Sequence, residues 1–165
     1  MDSLTIRLVG LSDAAAISRI YNHYVLNTVV SFEETAVEIN EMQKRIQEVT
    51  DNHLPWLVAE QTNGVVGFAY ASKWKGRCAY RNSLETTIYL DPSVTRRGIG
   101  SSLYNALIQH VRSAGFHTVI GGVALPNEAS VALHEKHGYR KVAHFEQVGF
   151  KHNRWVDVAY WQLLL

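Results

Sequence analysis

The chain opens on alternating apolar and polar residues from Leu4 to Val9, the period of a strand, and then changes to a helical period. Ile17, Ile20, Tyr21 and Tyr24 fall on one helical face after Ser12, which stands at the N-cap position. Thr35 and Glu38 have capping-box spacing before Ile39, Met42, Ile46 and Val49, which predicts a second helix with one apolar side. Pro55 to Glu60 and Val65 to Lys73 are rich in β-formers and flank Asn63-Gly64, the signature of an antiparallel hairpin. A polar and aromatic stretch from Trp74 to Asn82 precedes a strand over Ser83 to Leu90 that Asp91-Pro92 stops. Leu103, Leu107, Val111 and Ala114 mark a third helix closed by Gly115. Thr118 to Val123 reads as a strand, and Asn127 as the cap of a short helix ending at Gly138. Strands at about Tyr139 to Glu146 and Trp155 to Leu163 complete the pattern.

Seven strands and four helices in this order predict an α/β fold of the α+β kind, with a mixed, mostly antiparallel central sheet and helices on its faces. A doubly wound nucleotide fold does not fit. At 165 residues with 47% hydrophobic content, the chain has the size of one domain spanning 1–165, without a linker. Its 16 Lys and Arg nearly balance 15 Asp and Glu, so no broad field draws nucleic acid or an anionic membrane. The single cysteine, Cys78, excludes an internal disulfide framework, and the first residues carry no secretory signal pattern. Apolar runs such as Trp161 to Leu165 fall far short of the roughly 20 residues that span a bilayer. The expectation is a soluble, cytoplasmic protein.

Candidate chemistry begins at Thr95-Arg96-Arg97-Gly98-Ile99-Gly100-Ser101, between a predicted strand and a predicted helix. Backbone N–H groups and the positive end of a helix dipole converge at such a point and favour an anion. Gly98 and Gly100 let the backbone approach a phosphate closely, while Arg96 and Arg97 offer charge-assisted contacts, an arrangement suited to a pyrophosphate. A Rossmann fingerprint fails because Leu103 stands where a small residue belongs, and a Walker loop fails for want of Lys-Ser or Lys-Thr. Taken alone, the segment is equally an ordinary glycine-bearing loop with a solvated basic pair.

The order of elements, the glycine loop and several further segments together resemble the GNAT acetyltransferase superfamily. Within it the chain is similar to the phosphinothricin and methionine sulfoximine N-acetyltransferases. The segments are Ile20-Tyr21-Asn22-His23-Tyr24, Val30-Ser31-Phe32-Glu33, Pro55-Trp56-Leu57-Val58-Ala59-Glu60, Leu125-Pro126-Asn127, His134-Glu135-Lys136-His137-Gly138-Tyr139 and Gly149-Phe150-Lys151, spread over nearly the whole chain. The resemblance implies acetyl-CoA as co-substrate, its pyrophosphate held by a loop of the form Gln/Arg-x-x-Gly-x-Gly/Ala. Thr95 departs from that form at its first position, which leaves Arg96, Arg97 and the backbone amides up to Ser101 to do the binding. It also implies that the strand before the loop splays from its neighbour, so that backbone at Ile88 and Leu90, with Tyr89 between them, receives the pantetheine arm. Asn127 and Ser130 would contact the same arm, although capping alone accounts for Asn127. Relatives are commonly homodimers with acceptor sites near the seam, a role open to the aromatic strand carrying Trp155, Tyr160 and Trp161.

An amine attacks a thioester only as the free base, so the reaction needs a proton acceptor. Glu85 is the leading candidate, on one strand face with Thr87 and Tyr89; a plain ion pair with Arg77 or Arg81 is the competing reading. His134 stands where many GNAT enzymes have a tyrosine, and proton donation to sulfur, relay from Glu85 and orientation of the co-substrate all remain open to it. Zinc is rejected, since His134 and His137 are three apart rather than four and no third ligand is evident. For a zwitterionic acceptor, the 74–82 loop offers Arg77 and Arg81, whose forked guanidinium groups suit a carboxylate better than Lys75, beside Trp74 and Tyr80. The resemblance places Phe32 and Glu33 on the opposite wall. The predicted activity is acetylation of a small amino-acid-like amine such as phosphinothricin or methionine sulfoximine. The alternatives are another amine, such as a peptide N-terminus or an aminoglycoside, or a non-catalytic acyl-CoA sensor.

Overall fold

The computed structural model describes residues 3–94 and 98–165. Its elements are β1 (Thr5–Leu8), α1 (Ala14–Asn27), α2 (Ile39–Asp51), β2 (Trp56–Gln61), β3 (Gly64–Lys73), β4 (Ser83–Leu90), α3 (Ile99–Ser113), β5 (Thr118–Leu125), α4 (Glu128–Lys136), β6 (Arg140–Lys151) and β7 (Arg154–Leu164). The strands form one sheet in the order β1-β2-β3-β4-β5-β7-β6. Every neighbouring pair is antiparallel except β4 and β5.

Both faces of the central strands are covered, and the residue pattern follows from that. Trp56 and Val58 of β2 pack with Ile17 and Ile20 of α1 and Met42 and Ile46 of α2. The intervening Leu57 and Ala59 face the other way, onto Leu103, Leu107 and Val111 of α3. A strand buried on both faces carries a continuous apolar run instead of an alternating one, which is what Trp56 to Ala59 shows.

The helix starts differ from the expected caps. Ser12 lies inside a 3-10 turn, Leu11–Asp13, where the Asp13 carboxylate accepts the Gly10 N–H at 2.8 Å and is held by Arg7. Thr35 forms no capping box, because α2 begins later, with extended Glu38 itself at the N-cap. Asn127 caps as expected, its Oδ1 accepting the Ser130 N–H at 3.1 Å. The sixth strand runs well past Glu146. A bulge between Phe145 and Gly149, with Gln147 at a φ of 51°, interrupts the alternation that would have announced it.

Leu107 is fully buried between α3 and the sheet. Leu107→Ala is expected to lower the unfolding free energy by about 2–5 kcal/mol. Urea denaturation followed by circular dichroism checks this.

Candidate functional site

The parallel contact between β4 and β5 lasts three residues, Ser83, Leu84 and Glu85 against Thr118, Val119 and Ile120. Beyond it the two strands fork. On the other side β4 stays paired with β3 up to Leu90, and the bonds Trp74 N–H to Ser83 C=O and Asp91 N–H to Val66 C=O show odd-numbered residues turned toward β3. Ile88 and Leu90 therefore turn their N–H and C=O groups into the fork, where no strand meets them. The Leu90 C=O is satisfied from elsewhere, by the Tyr24 hydroxyl at 2.6 Å.

Two glycines of β5 shape the vertex. A Cβ on Gly121 would overlap Nε2 of His134, and one on Gly122 would lie 3.0 Å from Cε1 of Tyr160 and 3.6 Å from Oε1 of Glu85. Because successive strand residues face opposite ways, the pair admits His134 from one face and Glu85 with Tyr160 from the other. Just past the vertex, Thr86 is pinned on the α3 side by the hydroxyls of Tyr104 at 2.7 Å and Tyr139 at 3.1 Å.

Glu85 opens onto a groove of about 920 Å3 whose walls include Tyr21, Phe32, Tyr89, Phe145 and Tyr160. Burial raises its pKa above the ordinary carboxylate value, with nearby Lys75 opposing the shift. A carboxylate so placed is a stronger proton acceptor than one in water.

His134 is 3% exposed, enclosed by the rings of Tyr104, Tyr139 and Trp161. Its Nδ1 lies 2.7 Å from the Ser130 C=O. A carbonyl only accepts, so Nδ1 carries the hydrogen and Nε2 presents a lone pair. Nε2 has no hydrogen-bond partner among the described residues. Burial lowers the His134 pKa, with the Ser130 carbonyl opposing and His137 adding to the shift, so the ring is neutral near pH 7. In this tautomer Nε2 accepts a hydrogen bond; it donates a proton only after gaining one. His137 bonds the Ser101 hydroxyl at 3.1 Å, so the two histidines serve separate partners.

The remaining expected residues divide. Thr95, Arg96 and Arg97 lie outside the described residues. Gly98 is the N-cap of α3 at a φ of 74°, a left-handed conformation that suits glycine, and Gly100 lets the first turn close on Leu90. Ile99 is buried in the core beneath that turn. Phe32 and Trp74 line the groove, as does Lys75, whose ammonium stands 5.0 Å from the Trp74 ring centroid. Arg77, Tyr80 and Arg81 do not. The chain turns outward through the 3-10 turn Cys78–Tyr80, leaving all three exposed and outside the groove lining, and neither arginine pairs with Glu85. Glu33 lines the groove while bonded to Arg45 at 2.8 Å. Tyr21, expected on a helical face, and Tyr160, expected at a subunit seam, both line the groove, while the Gly121-Gly122 pair was not anticipated, although adjacent glycines inside a strand signal a close approach.

Residues 6–160 match the acetyltransferase (GNAT) domain family. The chain is 38% identical over 157 residues to a phosphinothricin N-acetyltransferase of Streptomyces viridochromogenes, covering 95% of this chain and 85% of that protein. It is 33% identical over 173 residues to an L-methionine sulfoximine/L-methionine sulfone acetyltransferase of Salmonella typhimurium, covering 98% and 95%. A crystal structure of a GNAT superfamily phosphinothricin acetyltransferase from Sinorhizobium meliloti in complex with acetyl-CoA superposes with a TM-score of 0.95 at 37% identity, covering 98% of this chain and 88% of that one.

Gly121→Ala tests the vertex. The added methyl must displace the His134 ring, and turnover is expected to fall by about tenfold or more while the protein stays folded. Steady-state kinetics with a thermal melt as control reads both.

Proposed function

The chain belongs to the GNAT acetyltransferase family, and from that premise we propose that it moves the acetyl group of acetyl-CoA to the amino group of a small amino-acid-like acceptor. Phosphinothricin and methionine sulfoximine are the acceptors to test first, by likeness to the relatives that bear those names. The observation that carries the reading is the Glu85 carboxylate at the vertex of a strand fork, facing an open groove. The fork suits an extended thioester arm, because Ile88 and Leu90 turn backbone groups into it without a partner strand. Gly98 starts α3 at the end of the same path, where a pyrophosphate would meet helix N–H groups.

Glu85 takes a proton from the acceptor's ammonium group, directly or through one water, and frees the nitrogen lone pair. The nitrogen attacks the thioester carbon, a C–N bond forms and the C–S bond breaks. The second nitrogen proton passes, directly or through water, to the departing sulfur, which leaves as the free thiol. His134 holds an unpartnered lone pair beside the vertex, so its part is to accept a hydrogen bond and orient the arm. Lys75 lines the groove, whereas Arg77 and Arg81 do not, so it is the cation we assign to the acceptor's carboxylate.

The partner face is the edge hairpin. Val142, Phe145 and Val148 line the groove yet are more than half exposed, and Phe150 and Trp155 continue the same strand pair. A second copy packed there would cover the apolar surface and close one side of the groove. The free, exposed Cys78 thiol suits a reducing cytoplasm.

Glu85→Gln is expected to lower kcat/KM by about 10²–10⁴-fold in a thiol-release assay, and no acceptor-dependent release across the panel would sink the reading. The raised pKa of Glu85 puts the acid limb of the kcat/KM profile above the ordinary glutamate value of about 4.3. The sign for stability is opposite. A raised folded-state pKa means that ionising Glu85 costs stability as pH rises through it. Glu85→Gln should therefore melt higher than wild type at pH 7, with the gain vanishing at acid pH. For the second copy, Phe145→Lys with Trp155→Glu is expected to give a monomer in sedimentation velocity where wild type is a dimer.

A further inference from the structure

Lys151 is a charged side chain in an unusual setting. It is 3% exposed, and no carboxylate lies within ion-pair distance among the described residues. Its Nζ donates to two main-chain oxygens, the Val25 C=O and the Ser31 C=O, each at 2.6 Å. Val25 lies in the last turn of α1, where carbonyls lack helical partners and carry the negative end of the helix dipole. That dipole compensates a buried ammonium which would otherwise be costly.

The other carbonyl belongs to the wall of the groove. Val30, Ser31, Phe32 and Glu33 all line it. The Ser31 hydroxyl meets the Tyr21 hydroxyl at 2.9 Å and accepts the Glu33 N–H at 3.3 Å. Tyr21 in turn packs edge-on against Tyr89, which shares the Glu85 face of β4. Two residues before Lys151, on the same face of β6, Gly149 is the floor on which the Phe32 ring lies, with no room for a Cβ. One ammonium thus ties the end of α1, the wall segment and the end of β6 together.

Taking the groove as the acceptor site proposed above, we propose that Lys151 is a positioning residue that sets the distance between the 30–33 wall and Glu85, and so governs acceptor binding without touching the acceptor. Removing the ammonium strands two buried carbonyls, and the cheapest relief is for the wall to move outward to water. The co-substrate path along Ile88, Leu90 and α3 meets α1 through the Tyr24 hydroxyl on the Leu90 C=O, a bond made by the helix and not by the 30–33 wall, so outward movement of the wall leaves it in place.

Two measurements on Lys151→Met, a near-isostere, test this. In hydrogen exchange, the Val30 and Glu33 amides, which bond Thr28 Oγ1 and Ser31 Oγ, are expected to exchange at least about tenfold faster, while the α3 amides do not change. In kinetics, the acceptor KM is expected to rise about tenfold or more, with the acetyl-CoA KM within about twofold of wild type. Unchanged exchange overturns the proposal, as does faster exchange with an unchanged acceptor KM. Equal losses in both KM values and kcat indicate a merely structural lysine and overturn it too. If Lys151→Met does not fold, Lys151→Gln is read by the same criteria, and failure of both to fold overturns the proposal. Wild type that turns over no acceptor refutes the acetyl-transfer reading instead, and the exchange result then decides the role of Lys151 by itself.

Discussion

The arrangement of this molecule depends on where one ladder of hydrogen bonds stops. A sheet strand in mid-sheet normally satisfies its main-chain groups on both sides, and leaving them unpaired in a protein interior costs free energy. Here β4 pairs on one side along its length and on the other only as far as Glu85. The missing pairs are tolerable because the fork is open, and because α3 and the Thr86, Tyr104 and Tyr139 hydroxyls brace the vertex from the opposite face. The chemistry we propose collects at the same point for the same reason: the fork is where backbone and side chains are both free to meet a ligand.

Glu85 and His134 approach that point from opposite faces and are biased in opposite electrical senses by one cause. Burial disfavours charge, so it makes the carboxylate a better base and keeps the imidazole neutral. The histidine tautomer then follows from a single carbonyl, that of Ser130, and turns a residue open to three roles into a lone-pair donor. Asn127 and Ser130 fix the first turn of the helix that carries His134.

Most of the fold was legible in the sequence because its elements obey simple periods. The seven strands and four helices follow from alternation, helical spacing and the punctuation of Asn63-Gly64, Asp91-Pro92 and Gly115. The misses have separate causes. Ser12 and Thr35 have the chemistry of caps, but Arg7 drew Asp13 into that part and α2 starts four residues after Thr35. The 147–151 segment hid behind a bulge that breaks the period of two. Arg77 and Arg81 were close to Glu85 along the chain, yet a single 3-10 turn sent them outward and left Lys75 in the groove. Lys151 was beyond reach for a deeper reason. Its partners are main-chain carbonyls, which every residue possesses, so no residue type marks them.

The Tyr24 hydroxyl bond to the Leu90 carbonyl makes the fork chemically lopsided. An extended molecule lying along β4 finds donors and acceptors at Ile88, but at Leu90 the carbonyl is already engaged and the N–H is what is left to offer. A strand-mimicking inhibitor should therefore place a carbonyl opposite Leu90; an amide N–H there would have to compete with a phenol at the end of its own helix. The direction in which such a compound threads the fork is thus written into one tyrosine of α1, on the opposite side of the strand from α3.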